Sequence, residues 1–154
     1  ESVLFFHETE LRTRAIDLQR RYCIAPKVLC HPGEIQQVVT NLIDNALDAL
    51  SRHGRLIVQV RPATSTDGAQ GVAVTIADSG TGMEKDTLER LFSPFITTKG
   101  EAGNGLGLWV SKGILDKHHA KIAVRSKVNC GTVFRLFLAV DAAAGEANDP
   151  VRKN

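Results

Sequence analysis

Asn41 and Asn45 stand one helical turn apart, with Asp48 a further turn on, inside the stretch QQVVTNLIDNALDAL at residues 36–50. Positions i, i+4 and i+7 of a helix share one face, so these three polar side chains stack along a single stripe. Ile35, Val38, Val39, Leu42, Ala46, Ala49 and Leu50 make a second, apolar stripe, which predicts an amphipathic helix with a buried side. Asparagine competes with the helix backbone for hydrogen bonds, so two of them in a helix interior suggest a task beyond solvation. Their neutral hard oxygens suit Mg²⁺, which keeps most of its waters and takes one or two protein ligands beside substrate phosphates. From this helix alone, a solvated face reads equally well.

Two further stretches carry chemistry. Asp78-Ser79-Gly80-Thr81-Gly82-Met83 follows an alternating apolar run, so a carboxylate sits at a strand end before two glycines. There backbone can approach a flat ligand while the acid accepts a hydrogen bond from it, although DSGTG alone also reads as a plain turn. From Gly100 to Leu108 four glycines fall within eight residues and open into an apolar helix at about 108–118. Free N–H groups and the positive dipole end at such a helix start hold phosphates. Neither G-x-G-x-x-G after a strand nor G-x-x-x-x-G-K-[ST] occurs.

The elements that must position these residues are legible in outline. Residues 3–14 read as the end of a helix, 16–22 as a strand, and Pro32 with Glu34 as the start of the asparagine helix, which Gly54 closes. Strands at 56–60 and 72–77 form a hairpin across ATSTDGAQG; a short helix spans 84–91; strands at 121–126 and 132–140 turn at Asn129-Cys130-Gly131. Trp109 and Ile114 are expected in the core. The composition of 141–154 predicts a disordered tail.

At 154 residues, with 43% hydrophobic and 23% charged residues, the chain fits one globular domain. A net charge of +2 without a basic run argues against nucleic acid, and no apolar stretch is long enough to cross a bilayer. The start at Glu1 predicts a piece of a longer protein. Cys23, Cys30 and Cys130 show no C-x-x-C spacing, which predicts buried inert thiols in a reducing cytosol. His7-Glu8 invites a phosphoacceptor reading, but a plain surface histidine is the stronger one.

In their order these segments resemble the N, G1 and G2 boxes of the ATP-binding catalytic domain of two-component sensor histidine kinases, within the superfamily of gyrase, the ninety-kilodalton heat-shock chaperone and the mismatch-repair ATPases. FSPFITTKG resembles the F box and Gly131-Thr132-Val133-Phe134 the closing GTxF strand. The resemblance covers nearly everything from Ile16 to Val140. It implies an α+β two-layer sandwich (Bergerat fold): a mixed five-stranded sheet covered on one face by three helices, with a mobile ATP lid. Residues 15–140 would be this domain and 1–14 the end of a linker helix from a missing dimerisation region.

By the same resemblance Asn45 would bind Mg²⁺ with Asn41 beside the phosphates, and Asp78 would accept the adenine amino hydrogen with Gly80 and Gly82 at the base. Phe92 and Phe95 would anchor the lid, Lys99 with Thr98 would face phosphate, and Gly103, Gly105, Leu106, Gly107 and Leu108 would wrap the triphosphate. Thr132 would fix Asp78 or a water near the adenine. Asn41, Asn45 and Lys99 would be the catalytic set. In the hydrolytic relatives a Glu one turn before the metal Asn activates water; here Asn41 stands there and cannot take a proton, which favours phosphoryl transfer. The acceptor would be a histidine on a separate dimerisation domain, since Arg12 stands where the H-E-x-x-x-P motif needs Pro, and a response regulator receiver would act downstream. The fragment would be monomeric and its parent a homodimer, in the cytoplasm or as the cytoplasmic part of a membrane-bound sensor. Asp48 stands where many relatives carry a phosphate-contacting Lys, and His118-His119-Ala120 where they carry H-G-G. A serine-directed anti-sigma kinase of the same fold and a nucleotide-responsive module without transferase activity are the two rivals.

Overall fold

The computed structural model describes residues 2–95 and 105–140. The chain runs α1 (Ser2–Phe6), α2 (Glu8–Thr13), β1 (Asp17–Tyr22), α3 (Pro32–Ala49), β2 (Arg55–Thr64), β3 (Gln70–Asp78), α4 (Lys85–Glu89), α5 (Gly107–Lys117), β4 (Lys121–Lys127) and β5 (Gly131–Ala139). The strands form one mixed sheet in the order β1-β2-β3-β5-β4, with β1 parallel to β2 and all other pairs antiparallel.

Alternation along the strands decides which face is covered. Leu56, Val58, Ile76, Phe134, Leu136 and Leu138 are buried on one face of the sheet, and Val58, Ile76 and Phe134 stand opposite one another in register. They meet Val38, Leu42, Ile43, Ala46 and Leu47 of α3 and Leu115 of α5 in one core. Helix α3 is buried over a wider arc than its apolar stripe predicts. Ile43 and Leu47 are inside as well, because α1 as well as α5 and the sheet packs on it.

Four differences from the sequence reading have local causes. The first helix is interrupted at His7, whose ring reaches back to Asp44 of α3 at 3.3 Å, while Val3, Leu4 and Leu11 enter the common core. Helix α3 ends at Ala49 with Leu50 extended, and the positive-φ residue of the following turn is His53 (φ 62°), so Gly54 does not close the helix. The hairpin strands run further than predicted: Ala63 and Thr64 pair with Gly71 and Gln70, and the turn shrinks to 65–69. Pro62 is tolerated because β1 ends opposite Val60, leaving an edge for the missing N–H. Finally, Cys23 and Cys130 are exposed and Cys30 half-buried, since they sit in connections and not in strands or helices.

Trp109 is half exposed, because Leu108, Ser111 and Leu115 occupy the inward side of α5; Ile114 packs on the core as expected. Among the described residues no helix is long and apolar enough to cross a membrane.

Candidate functional site

The helix-facing side of the sheet changes character at one end. The rung Ile76–Phe134–Val124 is apolar, and the next rung is Asp78–Thr132–Ser126. Asp78 and Thr132 are buried there, 9% and 4% exposed. Oδ1 of Asp78 accepts the N–H of Gly80 at 2.8 Å and that of Thr132 at 3.3 Å, so two backbone donors fix the carboxylate and no described residue donates to Oδ2. Burial raises the Asp78 carboxyl above its usual range, and the bonds from Gly80 and Thr132 partly offset that.

Ser126 joins this rung to the loop beyond it. Its Oγ accepts the N–H of Met83 at 2.8 Å and lies 2.9 Å from Thr132 Oγ1 and 3.2 Å from the carbonyl of Gly131. Sequence reasoning missed Ser126; a Ser opposite a Thr across two strands is a recognisable cross-strand pair once register is known.

The glycines of D-x-G-x-G approach protein backbone at this point. A side chain on Gly80 would strike Ala49 at the end of α3, and Gly82 (φ +66°) would drive one into the carbonyl of Lys127. Thr81 completes the join, donating to Ala49 O at 3.1 Å and accepting from Asn129 N–H at 2.7 Å. The acid's loop is therefore clamped between α3 and the β4–β5 turn.

Along α3 from Ala49 the exposed-side residues lead back through Asn45 to Asn41, about 12 Å by helical rise. Asn41 Nδ2 donates to the carbonyl of Gly107 at 3.1 Å and to Ser111 Oγ at 3.0 Å, tying α3 to the first turn of α5. Ser111 has no exposed surface and was also missed; a lone Ser among apolar neighbours one turn after Gly107 was its only signal. Asn45 is half-buried, and its carboxamide bonds no other described residue. A free carboxamide oxygen fits Mg²⁺, and among the described residues no group of three His, Cys, Asp or Glu could hold an ion without substrate oxygens. Asp48 is exposed.

Phe92, which the resemblance places as a lid anchor, is half-buried against the core. Phe95 does not anchor through its ring, which is three-quarters exposed; with φ +64° the backbone turns the ring outward, and its N–H donates to the carbonyl of Gly105 at 3.1 Å. That bond holds together the two ends of the stretch 96–104. Gly105 has φ +63°, and Leu106, Gly107 and Leu108 are half-buried where α5 begins. Thr98, Lys99 and Gly103 lie outside the described residues. His119 follows the end of α5 at φ +50°, a backbone conformation that favours glycine.

The family model for the histidine kinase-, DNA gyrase B- and HSP90-like ATPases matches residues 30–142. The chain belongs to this ATPase family. Among its relatives, sporulation kinase E of Bacillus subtilis is 39% identical over 121 residues, 79% of this chain but 16% of that protein's length. The catalytic domain of the histidine kinase ThkA superimposes with a TM-score of 0.77 at 30% identity, covering 90% of both chains. A second ThkA structure, in complex with the response regulator protein TrrA, superimposes at 0.73 with 26% identity over 92% of this chain and 39% of that one. Within the ATPase family the chain is thus an ATP-binding catalytic domain of the sensor-histidine-kinase type.

Proposed function

We propose that this domain binds Mg²⁺-ATP between α3 and α5 and transfers the γ-phosphate to a histidine on a separate dimerisation domain of the same parent protein, in a two-component pathway. The observation that carries the reading is Asp78: a buried carboxylate with Oδ1 held by two backbone N–H groups and Oδ2 left for the exocyclic amino group of a purine. Asn45 would supply one oxygen to the metal, Asn41 and the start of α5 would border the phosphates, and Lys99 would neutralise their charge. Mg²⁺, when bound, would neutralise the phosphate oxygens as the γ-phosphorus leaves the β-γ bridging oxygen for a ring nitrogen of the acceptor, releasing ADP.

Asn41 cannot serve as a base, and its Nδ2 is already bonded to Gly107 and Ser111. No group at that position activates water, so the reading favours transfer over hydrolysis. The ThkA complex with a response regulator supports a receiver domain as the downstream partner, and the exposed thiols Cys23 and Cys130 suit a reducing cytoplasm. The parent is proposed to be a homodimer.

Incubation with γ-labelled ATP and a supplied histidine-bearing helical hairpin tests the reading. Acid-labile, alkali-stable label on the hairpin is expected. Acid-stable label on serine would replace it with the anti-sigma type of kinase, and bound nucleotide without any transfer would leave a nucleotide-responsive module.

A further inference from the structure

The face of the sheet turned away from α3 and α5 is unlike the rest of the surface. Register places Arg21, Gln59, Thr75, Arg135 and Ala123 in one row across the five strands, with Arg125 in the row on one side and Arg61 and Lys121 in the row on the other. No described helix packs on this face; the core contacts all lie on the other. Two of its cations have acidic partners, Arg55 with Asp17 at 3.1 Å and Lys121 with Asp67 at 2.8 Å. Arg21, Arg61, Arg125, Lys127 and Arg135 have no carboxylate partner among the described residues. Off this face Arg14, Lys85, Lys112 and Lys117 are paired with acids, while Arg12, Arg52 and Arg90, scattered over α2, the turn after α3 and the end of α4, have no carboxylate partner among the described residues. Five unpaired cations on one flat surface are a local excess of positive charge in a chain whose net charge is only +2.

The arrangement has a centre and a rim. Arg21 and Arg135 are three strands apart, as are Arg61 and Lys121, so about 14 Å separates each pair. Between them lie Thr75, Ala77, Ile57 and the exposed Val133, with the ring of Phe137 beside Gly71. Small and apolar groups inside a charged border are the composition of a protein interface. The surface is roughly 400–500 Å² from strand spacing and rise, the scale of one side of a transient contact.

We propose that this face docks an acidic polypeptide surface, one presenting Asp and Glu around a small apolar centre. Guanidinium groups favour carboxylates in forked pairs. A lipid surface fits less well, because the large exposed apolar side chains that would insert, Phe5, Phe6, Ile24, Leu29 and Trp109, are on other elements. A duplex nucleic acid fits less well too, since a flat face offers no element that enters a groove. Docking here leaves the α3–α5 side open, so it is independent of the nucleotide reading.

The test is an NMR titration of the labelled chain with a synthetic peptide of alternating glutamate and serine, at low and high salt. The expected result is shifts at open-face amides of β3, β4 and β5, weakened by salt. Affinity should fall about tenfold in R125E/R135E and change less than about twofold in K85E/K112E, which alters the same number of charges off the face. R125Q/R135Q, with a smaller loss, serves if the charge reversal disturbs folding. Equal loss in both double variants, or shifts away from the sheet, would overturn the proposal. So would binding to phosphatidylglycerol vesicles through Arg125 and Arg135 where the peptide fails to bind.

Discussion

If Asp78 holds a purine as proposed, it must stay charged while buried, and that weakens the empty protein. The folded-state pKa of Asp78 lies above its ordinary value of 3.8, so between the two the folded chain keeps a proton that the unfolded chain has lost. Raising pH through that window therefore removes stability. Asp78→Asn keeps an oxygen for Gly80 and Thr132 and deletes the charge. The nucleotide-free variant should melt at or above the parent at neutral pH, with this acid-side gain gone from the difference between the two curves. Its amide would face the adenine amino group with a donor, costing about 1–3 kcal/mol, roughly ten- to hundredfold in ATP affinity by calorimetry. Asn45→Ala should abolish Mg²⁺-dependent transfer while leaving metal-free nucleotide binding nearly intact; parallel loss of both would remove its metal role. The residue types at both positions were legible in the chain. What was not legible is that Asn41 bonds a neighbouring helix and that Ser111 and Ser126 complete the polar contacts, because those bonds join residues 70 and 43 positions apart.

Element boundaries failed where the backbone, and not the side-chain pattern, sets them. The hairpin strands outran their apolar runs because Ala63, Thr64 and Gly71 extend a ladder already formed, and Gly54 looked like a helix stop that Leu50 had made first. Glycines divide in the same way. Gly82 combines φ +66° with backbone directly behind it, so Gly82→Ala should cost about 1–3 kcal/mol in a urea melt. Gly113 in the middle of α5 has nothing within 4 Å of a would-be side chain, and Gly113→Ala should stabilise by about 0.5–1 kcal/mol. A destabilised Gly113→Ala would mean that α5 is held by contacts other than those described.

At the scale of the molecule, motif order gave the fold correctly, five mixed strands under helices, because the boxes fall at fixed places along one topology. The N-terminal segment was harder to weigh. Val3, Leu4 and Leu11 are buried with the main core, so a chain trimmed to begin at residue 15 should melt well below the parent, and Leu4→Ala alone should cost about 2–5 kcal/mol. An unchanged melting point after trimming would return residues 1–14 to the role of a passive connector. The parallel pairing of β1 with β2 across the whole of α3 has a kinetic corollary. The β2–β3 hairpin closes locally, whereas β1 must wait for a long chain segment to be ordered before it finds its neighbour. Amides of this outermost strand should then join last on folding and exchange first with deuterated solvent, while the rung bearing the acid, three partners deep in the antiparallel part, is already shut.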